Sequence, residues 1–268
     1  MIMIAKEWKE FYRSALFIIT AGMIIISSWF VLFPYGGMDI PVAFRTGIVS
    51  VFQVSVYLLP LLATVYGAFA MAEEKNQRTL PMLLARGMTI HQFVLRKYLS
   101  LVTIFAPAIL AAYVIAMIPA KSVFTDFPLQ EFVLFAVSTI FLAVIFIAIG
   151  MLLGSVIGQK LTLVGFIIGT WLAFIYFIDL LLMYWLPNIA MKDVLGFSII
   201  YFLSPLHAVQ YFLFTKLDVY EFSDTSVLYD HFTFQSPWLV LIGNMVIWVA
   251  GAIGLSILVL KRKGVSHD

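Results

Sequence analysis

The chain contains no cysteine, which excludes disulfides, thiolate metal sites and cysteine nucleophiles. Charge is nearly as scarce. Only 11% of residues are charged against 63% hydrophobic, so a soluble domain of this composition would have too little polar surface to face water. No glycine-rich phosphate loop occurs, and hydrolysis of nucleotide by the chain itself is not expected. The histidines His91, His207, His231 and His267 include no pair at the i, i+4 spacing of a helical zinc site. Glu221, Asp224 and Asp230 lie near His231, but without fixed ligand spacing they read as a solvated acidic loop. No cofactor, metal site, catalytic residue or nucleic-acid partner is expected.

What the chain has instead is six apolar runs, at 15–33, 47–72, 98–120, 132–157, 161–186 and 238–260. A bilayer core about 30 Å thick needs roughly 20 apolar helical residues, and each run is near or above that length. The runs do not alternate apolar and polar residues, as the strands of a transmembrane barrel would. The expected fold is therefore an all-α membrane protein with six transmembrane helices. Residues 1–268 leave room for one membrane domain. The first run lacks a small-residue cleavage site and is expected to be a retained span.

Basic residues set the expected orientation. With the N-terminus inside, the inner segments hold twelve: Lys6, Lys9, Arg13, Lys75, Arg78, Arg86, Arg96, Lys97, Lys160, Lys261, Arg262 and Lys263. The outer segments hold four, Arg45, Lys121, Lys192 and Lys216, and most of the acids. Both termini are expected on the cytoplasmic side of the cell membrane.

Three pieces outside the spans can carry work. The N-terminal stretch sets Trp8, Phe11 and Tyr12 against Lys6, Glu7, Lys9 and Arg13, a pattern that suits a helix lying in the headgroup plane. The inner loop 73–97 opens with Glu73 and Glu74. It continues through Thr79, Leu80, Leu83 and Leu84 and breaks at Gly87. Ile90, Phe93, Val94 and Leu95 then form an apolar helix face behind the N-cap candidate Thr89. A short coupling helix that docks on a cytoplasmic partner, or on lipid headgroups, is expected there. The outer segment 187–236 holds two apolar stretches too short to span, joined at Ser204-Pro205, with Ser204 a candidate N-cap. Surface helices, or a re-entrant pair, are expected between spans five and six.

Within the spans, Asp179 is the clear ionisable residue. It lies about 27 Å along the fifth helix from Leu161, near the outer boundary, where it reads as an interfacial residue, with a packing or gating role as the alternative; if it pairs with a base, Lys192 or Lys216 is the candidate. Pro60 and Pro107 fall mid-span and each removes a backbone hydrogen bond.

In order, these residues resemble the ABC-2 type permeases, the membrane subunits of ATP-driven transporters. The resemblance rests on Lys6-Glu7 before Arg13-Ser14, then Glu74, Thr79-Leu80, Leu83-Leu84 and Lys97 around the first inner loop, along six spans. Arg78 and Arg96 stand where that family has glycine. Gly169-Thr170-Trp171, Phe174 and Asp179-Leu180, with Leu203-Ser204-Pro205, are also similar to the permease that serves nitrous oxide reductase maturation, a system that assembles a copper site. The resemblance implies a homodimer, a separate cytoplasmic ABC ATPase and a partner protein outside. It also implies that the inner loop couples ATP hydrolysis to export or to force transmitted outward. An ion-coupled secondary carrier is the alternative, but internal repeats and mid-membrane charges are not evident. A non-transporting anchor for an outer protein is the other.

Overall fold

A computed structural model describes Trp8 and residues 15–35, 40–76, 87–118, 128–185, 194–219 and 236–264. Among these the regular elements are all helices: α1 (Ala15–Leu32), α2 (Ile40–Asn76), α3 (Ile90–Met117), α4 (Leu129–Val156), α5 (Lys160–Leu172), α6 (Ile178–Trp185), α7 (Val194–Leu203), α8 (Pro205–Leu217) and α9 (Pro237–Gly264). A π-helical turn, Ala173–Phe177, joins α5 to α6 in one long helix. Helices are the expected solution for apolar segments this long, because a helix satisfies its own backbone where no water is present.

Five helices are long and apolar enough to cross a bilayer: Phe44–Lys75, Ile90–Met117, Leu129–Val156, Lys160–Trp185 and Pro237–Arg262. They carry the expected second to sixth spans. The expected first span is also a helix, but the 18 residues of α1 rise only about 27 Å, the short end of spanning length. Between the fifth and last spans, α7 and α8 meet at 93°. Their junction is the expected one, with Ser204 at the N-cap position and Pro205 opening α8, although the Ser204 hydroxyl makes no cap bond.

One element differs from the sequence expectation. The coupling helix that was to hold Phe93 and Leu95 is not separate from the third span. Thr89 caps α3 in a full capping box with Gln92, and α3 then runs unbroken from Ile90 to Met117. Gly87, at φ 81°, supplies the left-handed turn before it. The expected division fell at Arg96-Lys97, where two charges were read as the end of the membrane. Lys97 is instead buried, and the helix passes through it.

α2 and α4 form the central seam. Gly67 on α2 faces Ile147, and Gly150 and Gly154 on α4 face Thr64 and Ala68. A Cβ at any of the three would run into a backbone carbonyl oxygen of the other helix. Only glycine permits this approach, and small residues at such seams let dispersion and weak Cα–H···O contacts hold membrane helices together. Phe135 of α4 packs edge-on against Phe52 of α2 and Tyr113 of α3. The Tyr113 hydroxyl donates to Ser55 Oγ at 2.6 Å, deep between α3 and α2. α9 secures the bend between α7 and α8. Asn244 Nδ2 donates to the carbonyls of Phe202 and Leu203, and Trp248 Nε1 to that of Leu203. These are carbonyls that a helix leaves unpaired where it ends.

Candidate functional site

Two places along the bundle bring sequence-selected residues together. The first is at the end of the bundle that carries Lys75, Lys97 and Lys160. Glu74 lies in the last turn of α2 and Lys97 in the second turn of α3. Lys97 Nζ donates to Glu74 Oε1 at 3.1 Å, with side chains only 2% and 7% exposed. Lys75 Nζ donates to the Ser155 carbonyl of α4 at 3.0 Å. Three helix ends are thus joined, two by an ion pair and the third by a lysine–carbonyl hydrogen bond, where the segment 77–86 leaves and returns. A buried pair of this kind adds little net stability, because desolvation offsets attraction, but removal of one partner leaves an uncompensated charge.

The remaining residues expected at this end separate. Glu73 is exposed. Phe93 is fully buried in the core of the chain, whereas Leu95 is 46% exposed. Phe93 thus offers no exposed surface, and the expected apolar face of Ile90, Phe93 and Val94 packs inward on the bundle itself. Thr79, Leu80, Leu83 and Leu84 lie outside the described residues, as do Lys6, Glu7 and Arg13; Trp8 is helical and half-exposed.

The second place is at the opposite end. Asp179 stands two residues beyond the π-helical turn. Its Oδ1 lies 3.0 Å from His207 Nε2. Of the candidate bases named from the sequence, Lys216 is exposed and Lys192 lies outside the described residues. The bend at Ser204-Pro205 is the reason for the difference, since it turns the first face of α8 toward the fifth span. The carboxylate is 60% exposed and the imidazole 12%, so the pair has one wet and one dry member. His207 lies against the Tyr201 ring at 4.5 Å. A π turn contains one more residue per turn than an α turn, and such insertions occur often at functional positions. Here it shifts the faces of α6 relative to α5. Leu182 is then buried against Phe197 and Tyr201. Two residues before the π turn, Trp171 donates its indole N–H to the Tyr57 carbonyl of α2 at 2.8 Å, a polar tie between the fifth span and the seam.

Sequence reasoning missed His207, Asn244 and the seam glycines. Asn244 offered a signal as a polar residue inside an apolar run, and Gly150 and Gly154 as a pair at i, i+4. His207 offered none without the bend. The acidic group around His231 lies outside the described residues.

An all-helical bundle with five or six candidate spans, and an ion-paired helix terminus at one end, fits a membrane-embedded transporter subunit. No match was found among curated proteins. The family model for ABC-2 family transporter proteins matches residues 1–265, almost the whole chain. The chain therefore belongs to the ABC-2 family, as a multi-pass membrane permease subunit of an ABC transporter, a role that implies an ABC ATPase partner.

Proposed function

We propose that the ATPase docks at the Glu74–Lys97 end, that this end is cytoplasmic, and that the segment 77–86 receives its thrust. The observation that carries the proposal is the buried pair itself. It ties the two ends of that segment to each other, so a push on the segment moves α2 and α3 as one body. Through the glycine seam the same push reaches α4. The basic residues of the inner segments support the orientation. Thr79, Leu80, Leu83, Leu84 and the exposed Leu95 make up the apolar docking surface in this reading, with Glu73 at its edge. Phe93 serves to seat the helix.

We further propose that the permease works as a homodimer. Gly165, Gly169 and Ala173 lie four apart on the fifth span and line an open face with Thr162 and Thr170, a spacing that suits close approach of a second helix. The outward task is the transmission of work to a partner protein outside, in the maturation of a copper enzyme. The similarity of the fifth span and of Leu203-Ser204-Pro205 to the nitrous oxide reductase maturation permease supports that assignment.

Leu80→Asp and Leu84→Asp test the docking site. An apolar surface seated in a partner groove cannot bury a carboxylate without a cost of several kcal/mol. Co-purification with the ATPase is expected to fall at least tenfold while the permease still inserts. Unchanged co-purification overturns the assignment. For the outward task, a deletion strain is expected to secrete the copper enzyme without its metal, and normal metal content rules that task out.

A further inference from the structure

At the Asp179–His207 end an apolar groove of about 310 Å³ opens between the fifth span, the bent pair α7–α8 and α9. Phe174, Phe177 and Leu181 form one wall, Ile200 and Leu203 the other, and Trp248 the third side. Its size is at the lower end of the range of ligand pockets, about 300–1,000 Å³. We infer that this groove is a lipid site that holds one acyl chain of a bilayer phospholipid.

The groove is continuous with the surface that faces the bilayer. Phe177 is 64% exposed, Leu203 46% and Leu181 41%, and the same three residues line the groove. An occupant that enters from this side has acyl chemistry, because it leaves hydrocarbon for hydrocarbon and meets almost no polar wall. The walls are also held apart. Asp179 follows Ile178 on one wall, and His207 lies one turn beyond Ser204 on the other, so the contact between their side chains joins the two elements that bound the groove. The π turn contributes Ala173, Phe174 and Phe177 to the lining. An α-helical register would rotate part of that wall away. On the third side, Trp248 is fixed by its bond to Leu203 and by an edge-on contact with Phe174, which keeps the indole at the groove. Ser204 lines the same space, and its buried hydroxyl has no hydrogen-bond partner.

The inference depends on membrane placement and not on ATPase coupling, so the test uses the full-length permease alone in vesicles. The probe is phosphatidylcholine brominated along its acyl chains, which quenches tryptophan fluorescence on contact. The Trp248 signal is the difference between the wild type and Trp248→Phe. That signal is expected to be quenched in the wild type and at least twofold less quenched in Ile200→Phe, which fills the groove. Ile200→Ala, which widens it, is expected to be quenched at least as strongly as the wild type. Equal quenching in Ile200→Phe and the wild type overturns the lipid site, as does reduced quenching in Ile200→Ala. Absence of quenching in the wild type also overturns it. If Leu203→Cys then forms a disulfide between copies, the occupant is a second permease.

Discussion

Glycines lie at three points of the α2–α4 seam and at two points on the fifth span, and their surroundings differ. Gly67, Gly150 and Gly154 each face a backbone carbonyl across the seam, whereas nothing stands within 4 Å of where a side chain would begin at Gly165 or Gly169. In the most apolar stretch of α4, 61% of residues are buried within the chain; in that of the fifth span, 22%. One helix is thus completed by its own chain, and the other presents most of its surface outward. The residue type is the same in both places, so the sequence motif alone does not say whether its partner lies within the chain. A fold that combines a rigid seam with an open flank suits a machine in which one part transmits force and another meets lipid, a second copy or a protein outside.

The strongest way to break this comparison is to fill both sets of glycines. Gly150→Val meets backbone, which cannot rotate aside as a side chain would. Overpacking of a core costs about 1–3 kcal/mol even where side chains yield, and more is expected here. Gly150→Val is expected to lose most of its folded yield in a detergent-extraction and gel-filtration assay. Gly169→Val is expected to fold normally and to shift the particle from dimer to monomer. If both variants behave alike, the two surfaces are not different in kind.

The next largest effect separates fold from coupling at the buried ion pair. Glu74→Met alone takes the carboxylate away from the buried Lys97 ammonium, and loss of one partner of a buried pair costs about 3–5 kcal/mol. The double change Glu74→Met with Lys97→Met removes both charges and is expected to recover the thermal midpoint of the wild type in a tryptophan-fluorescence melt. Stimulation of the ATPase is expected to stay at least fivefold down in the double variant, because the two ends of 77–86 are no longer tied by charge. Full stimulation in the double variant would make the pair a structural one.

Much of this architecture could be read from the residues before the fold was known. Length and hydropathy locate the spans because a bilayer imposes both. Ser204-Pro205 marks the bend because proline has no N–H to continue α7. Thr89 was read as the cap that it is, but the continuity of α3 through Arg96-Lys97 into the third span was missed. Lys97 was taken as the membrane boundary, whereas its charge is matched by Glu74, 23 residues earlier in the chain. Pairing across helices is not a local property, and neither is the choice of His207 as the partner of Asp179. Gly150 and Gly154 carried a spacing signal, but only the fold distinguishes it from the similar signal at Gly165 and Gly169.

The smallest effect is expected at Asp179, on the open flank. Its carboxylate is 60% exposed, so solvent screens the attraction to His207, and an exposed pair contributes only about 0–1 kcal/mol. Asp179→Asn retains the shape and an acceptor oxygen for the His207 N–H. The midpoint of thermal unfolding should therefore move by no more than about 4 °C for that small a free-energy change. His207→Ala removes more than the pair. It opens a space beside Tyr201 and beneath α8, where the imidazole is mostly buried. Its effect should exceed that of Asp179→Asn, and the double variant should be no worse than His207→Ala alone, because the carboxylate has then already lost its partner. The readout that detects the local loss is proteolysis at Lys216, in the last turn of α8. Cleavage there should rise severalfold in His207→Ala and only slightly in Asp179→Asn. If Asp179→Asn loosens α8 as much as His207→Ala does, the charge is what holds the bent helix to the fifth span, and this end of the flank is as firmly tied as the seam.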